Sequence, residues 1–259
     1  AVVYKNIKDA TEVQLRLPTS MGLFLLPLFS FVFPRKYTFW VKYAGNWGQT
    51  NAPISYRIQR WWLKKNIAKC KVTINGFWEN QSKHCLSFEN PCLTENQIEQ
   101  GLEISSQKVF NKPFVFTFVG RLDEAKGVTD CIEALQNIPI ENIEKVHFIG
   151  DGDLIELYKQ KASFLDDKVV FHGFLESKQV HSILAESHFL LLPSKSEGFP
   201  KVISEAACYG TIPVVSDVGS ISHYINIKNG FLWELENCIN YSEVLLKAVT
   251  TDEIKLKEM

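Results

Sequence analysis

No apolar stretch of this 259-residue sequence reaches the ~20 residues that a helix needs to cross a bilayer. The most apolar run, residues 21–33 (MGLFLLPLFSFVF), is 13 residues long and broken by Pro27, which predicts a buried helix, or else a face resting on a membrane, rather than a span. Net charge is lacking too. The 28 Lys and Arg stand against 29 Asp and Glu for a total of -1, so attraction to polyanions must come from local clusters. The six cysteines, at 70, 85, 92, 131, 208 and 238, form no C-x-x-C pair and no zinc-ligand spacing. Their scatter excludes a pre-formed metal ribbon and predicts free thiols in a reducing compartment. The opening AVVYKN has no initiator Met and no basic-then-apolar order of a signal peptide, so it reads as the middle of a domain. Internal repeats and low-complexity segments are absent as well.

What is present is globular. A hydrophobic content of 46% furnishes cores for two domains of roughly 100–150 residues. Between residues 112 and 233 short apolar runs alternate with longer amphipathic ones. The runs are 114–119, 145–149, 169–171, 189–192, 212–215 and 230–233, with helix-length segments at 126–138, 153–164, 176–186 and 200–209. That alternation predicts an α/β, doubly wound parallel sheet whose ligand site lies at the carboxyl ends of the strands. Before residue 106 the pattern is looser. Strands are expected at 12–17, 37–43 and 71–75 and a basic amphipathic helix at ~54–69, which together predict part of a second α/β domain. Asn90-Pro91 and the polar stretch 94–112 read as the passage between domains 1–105 and 106–259.

Two motifs bring chemistry to the strand ends. The strand 114–119 runs into Gly120-Arg121-Leu122-Asp123-Glu124-Ala125-Lys126-Gly127. Gly120 permits a tight turn, and Arg121 and Lys126 bring two cations to where a diphosphate would sit. After the run 189–192 comes Glu197-Gly198-Phe199-Pro200-Lys201-Val202-Ile203-Ser204-Glu205. Pro200 suits the first helical position, so that the amides of Lys201 and Val202 face the cleft. Glu197 and Glu205 are carboxylates that sugar hydroxyls could satisfy. Gly150-Asp151-Gly152 lacks the third glycine of a dinucleotide fingerprint and reads as a tight turn near the ligand.

Residues 114–233, which carry these motifs, closely resemble the donor domain of glycosyltransferase family 4, a family of GT-B fold in the group 1 glycosyl transferases. The similar segments are FTFVGRLDEAKG, HFIGDGDL, VVFHGFL, LLLPSKSEGFPKVISEAACYGTIPVVSDVGSISHYI and NGFLW. The resemblance implies two Rossmann-like domains, the first incomplete, and a retaining transfer from a UDP- or GDP-sugar with no cofactor and no metal. It assigns Arg121 and Lys126 to the leaving diphosphate, Glu197 to the transferred sugar and Glu205 to the ribose. Gly120, Gly152, Phe174, Gly198, Phe199, Pro200, Lys201 and Val202 complete the donor side, and Arg121, Lys126 and Glu197 are the catalytic candidates.

On the acceptor side Ala44 stands where the family often has a His, and Lys42, Asn46 and Trp47 are the candidate cleft residues. Residues 57–71 hold Arg57, Arg60, Lys64, Lys65, Lys69 and Lys71 with Trp61 and Trp62 and no acid. Such a segment suits an anionic membrane surface, or a surface helix with an apolar side in the core. The leading expectation is a cytoplasmic enzyme, peripheral on the inner membrane face, acting in cell-surface polysaccharide biosynthesis on a glycan or lipid-linked glycan, with no nucleic acid partner. Two others stand beside it: a non-catalytic nucleotide-sugar-binding subunit or inactive fragment, and a nucleotide-sugar epimerase of the same fold.

Overall fold

Strands that are apolar on both faces must be covered on both faces, and such strands build the second half of the chain. In the computed structural model, which describes residues 2–33, 38–90, 92–236 and 239–259, the chain divides into two units, 1–90 and 91–259. The first unit contains α1 (Val2–Ile7), β1 (Glu12–Leu17), α2 (Gly22–Pro27, continued by a π-helical turn, Leu28–Val32), β2 (Thr38–Tyr43), α3 (Ile54–Lys64), β3 (Lys71–Ile74) and β4 (Cys85–Ser87). Its four strands form a parallel sheet in the order β1-β2-β3-β4. One face of that sheet, with Leu15, Leu17, Val41, Tyr43, Val72 and Ile74, packs into a core with Leu26 of α2 and Leu63 of α3.

The second unit contains α4 (Glu95–Gln107), β5 (Phe114–Val119), α5 (Val128–Gln136), β6 (Ile143–Ile149), α6 (Ile155–Lys161), β7 (Val169–Gly173), α7 (Ser177–Glu186), β8 (Phe189–Leu192), α8 (Lys201–Cys208), β9 (Ile212–Ser216), β10 (Phe231–Trp233), α9 (Tyr241–Thr250) and α10 (Glu253–Glu258). Six parallel strands lie in the order β10-β9-β8-β5-β6-β7. β5 is central, with Phe114, Phe116 and Phe118 all buried. Chain order runs outward from β5 to β6 and β7 on one side and from β8 to β9 and β10 on the other. The order therefore reverses between β5 and β8, and the crevice at such a switch point is where open α/β sheets bind ligands.

Several expectations change. The stretch 94–112 is not a loop passage: residues 95–107 are α4, opened by a capping box in which Thr94 and Gln97 satisfy each other's backbone amides. The compact units divide at 90/91, at the Asn90-Pro91 step of the expected passage, and α4 belongs to the second unit. α4 packs on α8 through Gly101, where a Cβ would lie 2.3 Å from the Cys208 sulfur. The run 21–33 is not a fully buried helix. Gly22, Leu26, Phe29 and Ser30 face inward, whereas Met21, Phe24, Phe31 and Val32 are exposed. Cys70, Cys85, Cys92, Cys131 and Cys208 are free thiols, and Cys238 and Tyr37 lie outside the described residues. No helix among the described residues is long and apolar enough to cross a membrane.

One buried charge fastens the second unit. Lys108 precedes β5, and its Nζ donates to Ser187 O at 2.7 Å, Thr211 Oγ1 at 3.1 Å and Leu184 O at 3.3 Å. It thereby closes the C-terminal end of α7, where unpaired carbonyls favour a cation. Burial pulls its ammonium pKa down from 10.5 to about 7. Below pH ~7 both folded and unfolded chains hold this proton, and the fold bears its burial. Between about 7 and 10.5 the folded chain releases it first, so this residue's contribution to stability rises with pH in that window. The unfolding free energy of the parent minus that of Lys108→Met should therefore increase from pH 7 to pH 8.5. A pH-independent difference would contradict the assignment.

Candidate functional site

The chain turns sharply at the carboxyl ends of β5 and β8, and the two turns are tied together. β5 ends at Val119, and Gly120 N–H donates to Ile149 O at 2.9 Å. The chain then rises to Asp123, whose carboxylate accepts the Lys126 N–H at 2.9 Å and starts a single 3-10 turn, Glu124–Lys126. Gly127 follows at φ 74, with Pro193 O only 2.2 Å from where a Cβ would sit. From the other turn Lys195 N–H donates to Ala125 O at 2.9 Å. These ties bring the two motifs into contact. Lys126 Nζ bonds Glu197 Oε1 at 2.5 Å, across 71 residues of sequence. Both side chains are largely covered, at 23% and 11% exposure.

Arg121 is placed differently. Its guanidinium pairs with Asp123 at 2.9 Å and is 74% exposed, so it can swing to an anion with little desolvation cost. Gly152 lies close to the same loop, its Cβ position 2.1 Å from Leu122 O. Asp151 and Asp153 flank it with the D-x-D spacing of a metal motif, a pair that the metal-free expectation takes to be absent. Asp151 accepts the Gly152 N–H at 2.8 Å and is exposed. Among the described residues no group of three or more His, Cys, Asp or Glu is placed to hold a metal ion.

The β8 turn leads into α8. Pro200 stands one position earlier than expected: it is the N-cap, at φ -70 and ψ 122, and Lys201 is the first helical residue. No side chain caps this helix start. Gly198 O is held by the backbone and hydroxyl of Ser220, at 3.0 and 2.9 Å, and the Phe199 ring leans on Tyr224, 4.6 Å between centroids. These contacts fix the Glu197–Pro200 loop from the β9 side, through Ser220 and Tyr224, which lie within the resembling segment but carry no assigned role. Val202 is buried as a core residue, leaving only its backbone to face a ligand.

Glu205 lies one turn further along α8 and is half-buried. Burial pushes its carboxyl above the usual range, opposed by nearby His181 and Lys201. His181 is buried on α7 in a polar group with Gln97, Ser177 and Tyr209, at 3.2–3.3 Å. Cys92 is close enough to Glu205 and Ser204 for both to act on its thiol. Neither His181 nor Cys92 belongs to a motif, so sequence reading passed over both. Phe174, just after β7, is 85% exposed. His172 pairs with His147 at 2.8 Å along the β6–β7 edge.

The acceptor-side candidates lie in the first unit. Lys42 Nζ sits 4.4 Å from the Phe88 ring centroid, and Asn46 accepts the Gly48 N–H at 3.0 Å. Trp47 does not line an open surface: it is 6% exposed and packs edge-on against Tyr43. A cavity of about 490 Å³ in this unit, lined by Trp40, Lys71, Thr73 and Leu86 among others, shares no residue with the donor-side constellation.

Comparison with known proteins gives a consistent placement. Residues 100–259 match the family described as Glycosyl transferases group 1. Granule-bound starch synthase 2 of Pisum sativum is 29% identical over 161 residues, which cover 62% of this chain and 21% of that protein. The putative teichuronic acid biosynthesis glycosyltransferase TuaC of Bacillus subtilis is 32% identical over 105 residues, covering 40% and 25%. The chain thus matches a quarter or less of the length of these curated relatives. Among solved structures, Anabaena HepE in complex with UDP-glucose superposes with a TM-score of 0.72 at 17% identity, covering 99% of this chain and 73% of that one. The two parallel sheets are those of the GT-B fold.

Proposed function

Because the chain belongs to the glycosyl transferases group 1 family, we propose that its second unit binds a UDP- or GDP-sugar. The protein would then pass the sugar to a glycan or lipid-linked glycan acceptor in cell-surface polysaccharide biosynthesis. The observation behind this is the 2.5 Å contact between Lys126 and Glu197 at the switch point of the sheet, which couples a phosphate-seeking cation to a sugar-seeking carboxylate. Lys126 and Arg121 take the diphosphate, aided by the start of α8 at Lys201 and Val202. Glu197 holds the transferred sugar, Glu205 the ribose, and Phe174 lies beside the base. Gly120, Gly152, Gly198, Phe199 and Pro200 supply close backbone. HepE holds UDP-glucose, which supports a UDP-sugar in particular.

Transfer with retention follows a front-face course in this proposal. The departing phosphate takes the proton of the incoming hydroxyl, and Lys126 and Arg121 stabilise its growing charge in place of a metal ion. A glycosyl ester trapped on Glu197 and seen by mass spectrometry would refute that course. The enzyme is placed in the cytoplasm, with the lipid-linked form of its acceptor at the inner membrane face.

Donor binding is tested by thermal shift with UDP- and GDP-sugars. At 100 times its Kd the right donor should add ~2.7 kcal/mol of stability. Glu205→Ala removes a charged acceptor for hydroxyls, so donor affinity should fall roughly 10- to 100-fold. Since burial raises this carboxyl, affinity should also fall as pH drops through its titration, and the variant should lack that dependence. Undiminished affinity in Glu205→Ala would remove the ribose assignment. Turnover of a labelled donor then distinguishes transfer or slow hydrolysis from an isomerised sugar nucleotide or from binding alone.

A further inference from the structure

Two helical stripes on the first unit are uncovered. Along α2 and its π-helical turn, Met21, Phe24, Phe31 and Val32 recur every helical turn or two and are 61–72% exposed, while Leu26 and Phe29 point into the core. α3 repeats the arrangement. Gln59, Arg60 and Leu63 are buried, and Ile54, Ile58 and Trp61, at i, i+4 and i+7, are exposed. The two elements are fastened side by side. The Gln59 side chain donates to Thr19 O at 2.9 Å and accepts from its N–H at 3.3 Å. Trp62 Nε1 donates to Ser30 Oγ at 3.1 Å, and the Phe31 ring meets Trp62 edge-on at 5.8 Å. Monomeric proteins seldom present so many large apolar side chains together unless the surface binds something.

Charge says what it binds. Residues 13–78 contain ten Lys and Arg and no Asp or Glu, whereas the rest of the chain has 18 Lys and Arg against 29 Asp and Glu. The exposed Arg57 of α3 and Lys65 at its C-cap flank the Ile58–Trp61 stripe. We propose that the α2–α3 face of the first unit docks on an anionic lipid surface, with Phe24, Phe31 and Trp61 entering the headgroup–acyl boundary and Arg57 and Lys65 facing lipid phosphates. An apolar face bordered by cations with a Trp among them is the pattern of helices that lie in a membrane interface. Exposed apolar side chains along both helices, bordered by cations alone, match a surface that is apolar inside and uniformly anionic outside, which an anionic bilayer offers. The proposal deepens the lipid-linked acceptor reading and rests on it for its purpose, but it uses no donor-site residue.

Flotation of the full chain with phosphatidylcholine vesicles, with and without about 30% phosphatidylglycerol, tests it. The parent should partition at least ~10-fold more strongly to the anionic vesicles, and less so as salt rises. Phe24→Ser/Phe31→Ser should lower that partition about 10-fold, and Arg57→Glu/Lys65→Glu should erase most of the preference for anionic lipid. Equal partition to both vesicles, or unchanged partition in both variants, would overturn the proposal. So would a concentration-dependent dimer, or a complex with an acidic protein, formed through Phe24 and Phe31 without vesicle binding. Thermal stabilisation by UDP, measured on each variant, reports folding and the donor site separately, so failure of the lipid surface leaves the donor reading standing and the reverse also holds.

Discussion

Lys126→Ala should lower kcat about 10²- to 10³-fold, the loss seen when one preorganised group facing developing charge is removed. The assay is release of the nucleoside diphosphate from whichever sugar nucleotide stabilises the fold most. The ammonium sits at the carboxyl edge of the central strand and is already held by Glu197 at 2.5 Å. An entering diphosphate adds a second anion to the same cation, and as the bond to the sugar breaks the phosphate side gains charge. Lys126 therefore interacts more strongly with the transition state than with the bound donor, which is the condition for an effect on kcat rather than on KM alone. Arg121 pairs with the half-buried Asp123 at the surface, so Arg121→Ala should act on the donor step while leaving thermal stability nearly as it was.

The same substitution has a second consequence that separates structure from chemistry. Glu197, with a side chain 11% exposed, loses its partner in Lys126→Ala, and an uncompensated buried carboxylate costs on the order of 1–3 kcal/mol. Adding Glu197→Gln removes that charge. The double variant should recover most of the stability and none of the turnover. A double variant that regained turnover would mean that Lys126 serves only to neutralise Glu197, and a single variant within about threefold of the parent would refute its role at the leaving phosphate.

Much of this arrangement is legible in the sequence, for a physical reason. The strands of the second unit are buried on both faces and so appear as unbroken apolar runs, FVFTFV and FLLL among them. The Arg121/Lys126 and Glu197/Glu205 motifs fall in the turns after two of those strands. Elements whose identity depends on contacts were less legible. α4 is mostly polar, and only the Thr94–Gln97 pair marks its start. β4 is three residues long and joins the sheet through β3 alone. The run 21–33 has the hydropathy of a buried helix, but nothing in its composition shows that half of it faces outward. Pro200 fits a cap and a first turn equally well by residue type; its ψ of 122 decides for the cap. His181 comes near enough to act on Glu205 only because α7 and α8 pack together, a pairing that spacing along the chain cannot express.

Gly150→Ala should cost the second unit roughly 3 kcal/mol and lower its melting temperature by about 6–12 °C. Gly150 directly follows β6 at φ 130, a conformation that L side chains rarely adopt, and a Cβ there would lie 1.8 Å from Gly120 O. That carbonyl is backbone and cannot rotate away. The neighbouring contacts leave little room for retreat, because Gly120 N–H bonds Ile149 O, Leu122 N–H bonds Asp151 O and Gly150 N–H bonds Gly173 O, at 2.8–2.9 Å. Relieving the clash therefore pushes the β5 turn away from the β6 turn and carries Arg121 and Leu122 with it. Gly173 at the end of β7 is the control. It also has a positive φ, 68, but nothing lies within 4 Å of its Cβ position, so Gly173→Ala should cost only the dihedral term, about 1 kcal/mol. Donor affinity should fall in Gly150→Ala and hold in Gly173→Ala. Equal losses in the two variants would show that backbone conformation alone, and not the close approach of the two strand ends, shapes the diphosphate loop.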